Sequence, residues 1–465
     1  MLAVLSLASF MAGLDLFIVN VAFTAIGRDF QGQGLSNLSW VLNVYAIVFA
    51  ALLVPFGRIA DAYGRKAGFL LGIIVFTAAS QACAAATSLW MLVAFRVIQA
   101  AGAAALIPTS LGLLLSVFPP GQRAGAVRIW SISAALAAAA GPVAGGVLVS
   151  ASWRWVFEVN IPIGVAVALL AVWLIPDSRD AAAVKAPDLP GAALLTAAIG
   201  LMALGLVKIN DWPTGSVAGT LVVAAAALSV FWLRSLRHPA PVIEPSMLKV
   251  RSFAWSNATA LLFSAAFAAN LLLAILWLQR VWGYSAIRTG LAIAPGPLMV
   301  PVFAVLAGRI LARRLPVGLI TATGCVLCAG GVLVVITMLG QAPEYSTEFL
   351  PGWLIGGAGV GLALPTILSA AAGDLPQERF ATGSAVVNMS RQIGAVLGVS
   401  LLVAVLGTPG DYTAAHHAFI RTWLVITVFM IAAALASPGM TPPKTALSPT
   451  SAPTAPEVTV DNSDY

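Results

Sequence analysis

Runs of about twenty apolar residues, separated by short polar gaps, recur fourteen times along this chain. They fall near 2–23, 38–57, 68–87, 89–116, 125–150, 156–175, 190–207, 216–233, 254–278, 287–308, 316–339, 350–372, 383–407 and 418–437. Each can cross roughly 30 Å of hydrocarbon as an α-helix. In lipid the backbone must satisfy its own polar groups, so the helix is the default. The pattern predicts an all-α integral membrane protein of fourteen transmembrane helices. The first run reaches Phe23 without a small-residue cleavage site and therefore reads as a span rather than a signal peptide.

Composition removes the soluble alternatives. Only 9% of the residues are charged, 60% are apolar and the mean hydropathy is +0.97. A soluble domain carries about 25% charged residues, so the outer solvent here is lipid. The net charge of +7 would suit nucleic acid in a soluble protein, but the Lys and Arg residues sit in the gaps between spans. With the N-terminus inside, sixteen of them lie on the inner side, counting Arg179, Lys185 and Lys444. Six lie outside (Arg28, Arg154, Lys208, Arg280, Arg288, Arg421), and the other two of the 24, Arg96 and Arg391, are within spans. That asymmetry places both termini in the cytoplasm of a plasma-membrane protein and leaves no role for nucleic acid. The Pro-, Ser- and Thr-rich segment 438–465 is expected to be a disordered cytoplasmic tail.

The chain also repeats itself. Gly57-Arg58-Ile59 followed by Arg65-Lys66 matches Gly308-Arg309-Ile310 followed by Arg313-Arg314. Gly102 with Pro108-Thr109 matches Gly359 with Pro365-Thr366, and Arg123 matches Arg379. The offsets from Gly57, Gly102 and Arg123 are 251, 257 and 256 residues. A six-span unit therefore occurs twice: an N-terminal bundle over 1–176, a linker with two extra spans over 177–250, and a C-terminal bundle over 251–437. Duplicated halves enclosing a midplane site are an architecture of alternating-access transporters.

Charges inside spans are functional candidates because each costs roughly 2.5–3.5 kcal/mol on insertion scales. Asp15 lies mid-span with Asn20 five residues on, and Arg96 is followed by Gln99 one turn later. Either the pair responds to a proton in a shared cavity, or it is a static bridge. Arg391, with Asn388 and Gln392, either lines the cavity of the second half or reaches a phosphate head group. Arg154 and Glu158 read as interfacial anchors, and Trp40, Tyr45, Trp255 and Trp277 as belt or packing residues. Gly141-Pro142 with Gly145-Gly146 is expected to interrupt and kink the fifth helix and let a neighbour approach. Cys325-x-x-Cys328 lacks a second pair and reads as two small residues on one face, with Cys83 alone elsewhere. His416-His417 is expected to be solvated. No Asp-rich pair, His-Glu-x-x-His or phosphate-binding Gly-rich loop occurs, which disfavours a lipid-modifying enzyme and an ATP-driven pump.

These motifs resemble the major facilitator superfamily, specifically its 14-span drug:proton antiporter branch, over residues 1–437. Gly57-Arg58-Ile59-Ala60-Asp61-Ala62-Tyr63-Gly64-Arg65-Lys66 is similar to the loop motif between helices 2 and 3, with Ala62 replacing the usual basic residue. Leu14-Asp15 through Asn20-Val21 resembles the helix 1 motif, and Arg96 to Gly102 the helix 4 motif, with Ala100 in place of the usual glycine. Gly141-Pro142 with Gly145-Gly146 resembles the helix 5 antiporter motif, and Trp153-Arg154-Trp155 through Asn160 and Gly164 is typical of the branch. The resemblance implies two pseudo-symmetric six-helix bundles plus two inserted helices, exporting hydrophobic or amphipathic drugs by alternating access. It implies proton coupling through Asp15 and Arg96. Conformational gating would fall to Gly57, Asp61, Gly64, Arg65, Lys66, Gly141, Pro142, Gly145 and Gly146, with the loop locking the halves on the cytoplasmic side. An apolar cavity with Asn20, Gln99, Asn270, Gln279, Asn388, Arg391 and Gln392 would orient the substrate. The proton gradient replaces any cofactor, the lipid bilayer is the surroundings, and a monomer is the expected unit. A narrow exporter of one endogenous metabolite is the alternative within transport.

Overall fold

The computed structural model describes residues 1–178, 187–340, 343–373, 375, 379–408 and 411–441, and among these there are helices and no strands. Fourteen helices are long and apolar enough to cross a membrane. They are α1 (Leu2–Asp29), α2 (Leu35–Tyr63), α3 (Arg65–Ala84), α4 (Leu89–Val117), α5 (Gly121–Ala151), α6 (Trp155–Leu174) and α7 (Leu189–Val207). The series continues with α8 (Thr214–Arg237), α9 (Arg251–Val281), α10 (Ala286–Arg313), α11 (Val317–Met338), α12 (Tyr345–Ala371), α13 (Thr382–Leu406) and α14 (Tyr412–Met440). All fourteen apolar runs are helices. Most helices outlast their apolar run because capping and interfacial residues add turns; α1 continues through Gly27-Arg28-Asp29.

Two expectations change. Pro142 does not interrupt its helix, which runs unbroken from Pro120 to Ala151. In α10 the chain likewise stays helical through Ala294 (φ −54°, ψ −38°), although Pro295 and Pro297 flank Gly296 there. A proline inside a membrane helix costs a backbone donor, and neighbouring turns absorb the loss. The tail also begins later than expected. Ser437–Met440 forms a tight turn, and the Thr441 hydroxyl accepts a hydrogen bond from the Gly318 amide. The rest of that segment, 442–465, lies outside the described residues, as do Arg179 and Lys185.

The repeat is visible in the packing. In the first half α3 packs on α4, α1 on α5 and α2 on α4; in the second, α11 packs on α12, α9 on α13 and α10 on α12. Between halves, α2 meets α13 and α5 meets α10, two contacts that exchange under the duplication. The repeated glycines sit at equivalent crossings. A Cβ on Gly102 would lie 2.6 Å from the Phe76 nitrogen of α3, and one on Gly359 would lie 2.7 Å from the Cys328 nitrogen of α11. Small residues that let helix backbones touch replace the hydrophobic drive that lipid cannot supply. Cys328 thus packs against a helix crossing, as expected for a small residue; all three cysteines are free and buried.

The helices α7 and α8 form a hairpin beside α2 and α13. Its outer member exposes Val222, Val223, Trp232 and Leu233, which fits a lipid-facing surface. At the loop, Lys208 donates to Asn37 at 2.9 Å and Asn210 donates to the Ala404 carbonyl at 2.8 Å, so the hairpin touches both halves on the face away from the chain ends. Hydrogen bonds from Lys208 and then Ser36 hold the Asp211 carboxyl there below the usual range. On the face carrying the ends, Glu244 sits between Arg58 (3.2 Å) and Arg379 (3.9 Å). These groups are 20–45% exposed, and pairs of that kind contribute about 1 kcal/mol or less. Glu244→Gln should therefore leave the thermal midpoint of the purified protein within about 2 °C of wild type.

Candidate functional site

Polar side chains from α1, α3, α4 and α6 meet in one sealed cluster. The Arg96 Nη1 donates to Asp15 Oδ2 at 2.6 Å and to Gln99 Oε1 at 2.8 Å. Gln99 Nε2 donates to Asp15 Oδ1 at 2.9 Å and to the Ser80 hydroxyl at 3.2 Å. Asn160 Nδ2 donates to the same Asp15 oxygen at 3.2 Å and to Ser80 at 3.0 Å. Ser80 in turn donates to the Phe157 carbonyl. Asp15, Ser80, Gln99 and Asn160 are fully buried, and Arg96 is 1% exposed.

Helical spacing accounts for the convergence. Arg96 and Gln99 are three apart and share one face of α4, which is the face turned toward α1. The Arg96 Nε donates to the Val41 carbonyl at the start of α2, and its guanidinium lies 4.1 Å from the Tyr45 ring centroid. Of the two expected roles, belt or packing, Tyr45 takes packing, buried against the charged cluster. Within it, the carboxylate accepts three hydrogen bonds and the guanidinium has a counter-charge, the two conditions for tolerating a buried pair.

Beside the cluster lies a cavity of about 90 Å³ between the halves, partly open to solvent. The N-terminal half supplies Phe17, Asn20, Leu42, Asn43 and Arg96; the C-terminal half supplies Ser264, Phe267, Arg391, Gln392 and Val399, among others. The wall is mostly apolar, with few polar groups. Arg96 is the one member of the charged cluster that reaches it.

The sequence-proposed cavity residues divide. Asn20, Arg391 and Gln392 line the space. Gln99 belongs instead to the sealed cluster behind it. Asn270 accepts from the Trp423 indole at 3.1 Å within the C-terminal half. Gln279 donates to the Val21 carbonyl and lines a separate recess with Arg28 and Arg280 on the face away from the chain ends. Asn388 accepts from Arg391 at 3.1 Å and supports it from behind. The structure adds Ser80, Asn160 and Asn43 to the site; each is a polar residue inside an apolar run, which is the signal the sequence offers.

The halves close on each other just beyond the cavity, on the face away from the chain ends. Asn43 donates to Ser400 at 3.1 Å across the seam. Gly141 and Gly145 of α5 admit α1, where a Cβ would meet Phe17 or Ile18, while Gly146 admits α10, with a Cβ 2.7 Å from the Ala286 carbonyl. Gly290 presses reciprocally on the Pro142 carbonyl. In the loop motif, Arg58 reaches the linker residue Glu244, which also faces Arg379 of the second half, while the other charged members bond within the first half. Asp61 pairs with Arg65 at 2.6 Å, Lys66 donates to the Val172 carbonyl and the Arg65 amide donates to Ser178. Among the described residues these contacts stay with α2, α3 and the end of α6. Gly57 allows α4 close at Pro108, and Gly64 takes a φ of +131°, a turn that favours glycine.

Outside the cavity, Arg154 pairs with Asp29 at 2.8 Å, tying the α5–α6 turn to the end of α1. His416 is half-buried against Trp277 rather than solvated, and Trp277 is itself fully buried in an aromatic cluster with Phe419 and Trp423. Among the described residues no group of His, Cys, Asp and Glu could hold a metal.

Comparison with known proteins agrees with this architecture. The model of the Major Facilitator Superfamily matches residues 5–399. The "Probable actinorhodin transporter" of Streptomyces coelicolor is 35% identical over 86% of this chain and 70% of its own length. "Multidrug resistance protein Stp" of Mycobacterium tuberculosis is 32% identical over 86% and 74%. Among solved structures, a bacterial homolog of the human lysosomal transporter Spinster, inward-facing and unoccupied, superposes with a TM-score of 0.68 at 17% identity, covering 94% and 96% of the two chains. Fourteen membrane-spanning helices, a duplicated fold and these matches make the chain a multi-pass membrane transporter, not an enzyme, and it belongs to the Major Facilitator Superfamily.

Proposed function

We propose that this protein is a proton-coupled exporter of hydrophobic or amphipathic small molecules, working by alternating access in the plasma membrane with both termini in the cytoplasm. The observation that carries the reading is a buried carboxylate, Asp15, paired with Arg96, which lines a cavity formed by both halves. Protonating Asp15 would remove the counter-charge of Arg96 and rebalance contacts among α1, α2, α4 and α6. The seam of α5 with α10 and α2 with α13 would then open as the opposite face closes. Apolar walls bind apolar molecules through burial while a few polar groups orient them. The proton gradient supplies the energy, no cofactor takes part, and one chain suffices because it supplies both cluster and cavity.

Relatives named for multidrug resistance and for one antibiotic support export and also keep a narrow reading, in which the cargo is a single metabolite of the same cell. Two measurements separate the readings. In inverted vesicles, addition of a cargo should release protons from the lumen with the wild-type protein; no proton movement with any cargo would refute the coupling. Expressed in a sensitive host against a drug panel, broad resistance supports the first reading and resistance to one compound the second.

A further inference from the structure

The geometry points to a preference for organic anions, set by Arg391; this deepens the export reading and rests on it. Two arginines line the central cavity. Arg96 is neutralised by Asp15 at 2.6 Å. Arg391 is not neutralised. Its Nη1 donates to the neutral amide of Asn388, its buried Nε has no hydrogen-bond partner, and among the described residues no carboxylate lies within ion-pair distance of it. None of the described residues lining the cavity is acidic. The cavity wall therefore carries one net positive charge with an unused donor.

An uncompensated cation inside a membrane protein is expensive to keep, which marks it as functional. Guanidinium is a planar fork suited to a carboxylate, sulfonate or phenolate, and such charge-assisted bonds strengthen away from water. The partner groups are arranged for a molecule with one anionic end and an aromatic or aliphatic body. Gln392, Asn20 and Ser264 offer polar contacts nearby, while Phe17 and Phe267 supply apolar wall. The recess beyond the seam repeats the charge: Arg28 and Arg280 line it with Gln33 and Gln279 and no acid. An anion leaving through that face would meet the same sign of field along its route.

The test uses the full-length protein in discs of zwitterionic phosphatidylcholine, with three probes sharing one ring: 1-naphthaleneacetate, 1-naphthaleneacetamide and (1-naphthylmethyl)trimethylammonium. Wild type should bind the acetate at least about tenfold tighter than the other two. Arg391→Gln should erase that preference while leaving the amide within about threefold, and Arg391→Lys should retain part of it. Because Arg391→Gln removes a buried unpaired charge, its thermal midpoint should equal or exceed that of wild type, which separates lost recognition from lost folding. The absence of an anion preference in wild type, equal weakening of all three probes by Arg391→Gln, or failure of all three to bind folded protein would overturn the assignment. So would displacement of the acetate by phosphatidylglycerol in the disc, which would give the site to a lipid headgroup. Anion preference in binding without proton-driven movement of the acetate in vesicles would support the site and refute the export reading instead.

Discussion

Asp15→Asn should reduce pH-gradient-driven export in reconstituted vesicles to the level of protein-free vesicles, a loss of roughly 100-fold or more. The physical reason lies in the donors that converge on this side chain. Arg96, Gln99 and Asn160 all point N–H groups at the carboxylate. An asparagine keeps one acceptor and turns an NH₂ toward donors already in place, leaving Arg96 without a counter-charge in a site screened from water. Removing one member of a buried pair costs about 3–5 kcal/mol, whereas removing both is often close to neutral. The double variant Asp15→Asn/Arg96→Gln should therefore recover most of the stability lost by Asp15→Asn alone yet remain uncoupled. Recovery of gradient-driven export in the double variant would show that the cluster is structural.

Gly146→Leu should lower transport by about 10–100-fold and leave the far-face seam open. The obstacle it meets is the backbone of α10: the Ala286 carbonyl at 2.7 Å and the Ile287 Cα at 3.0 Å from a Cβ, neither able to swing aside. The helices α5 and α10 must separate, and the state in which the halves meet on that face is lost. Asn20→Cys, placed in the cavity, should react with an impermeant maleimide added on that face several-fold faster in the Gly146→Leu background. Gly219→Leu on α8, where nothing lies within 4 Å, should leave both transport and labelling unchanged. Unaltered transport in Gly146→Leu would mean that the seam does not need to close during the cycle.

Much of the fold was legible because lipid imposes one rule along the whole chain: a span must be apolar for about twenty residues. The duplication was legible in Gly102 and Gly359 because backbone contact between helices admits few residue types. The site was legible only in part. Asp15 and Arg96 stood out because charge within a span is costly, and the structure joins them. Which face of a helix a neutral amide occupies is not written in its local sequence. Asn20 and Gln392 face the cavity, whereas Gln99, Asn270 and Gln279 serve contacts that depend on where other helices pack. Ser80 is hidden for the same reason, as small polar residues look alike whether they bond a carboxylate or a carbonyl, and Asn160 is legible only as part of the branch motif. The seam at Gly146 was foreshadowed by its glycines, but its partners, Ala286 and Ile287 of α10, follow only from tertiary packing.

In the proposed cycle, protonation of Asp15 governs which face of the transporter is open. Spin labels on Val147→Cys and Ile287→Cys, at the α5–α10 contact, report that opening directly by pulsed dipolar distance measurement in wild type and in Asp15→Asn at one neutral pH. The wild-type distribution should hold the short population of the closed seam, while the same labels in Asp15→Asn, which lacks the carboxylate charge, should move toward a long one. An Asp15→Asn distribution identical to that of wild type would contradict this.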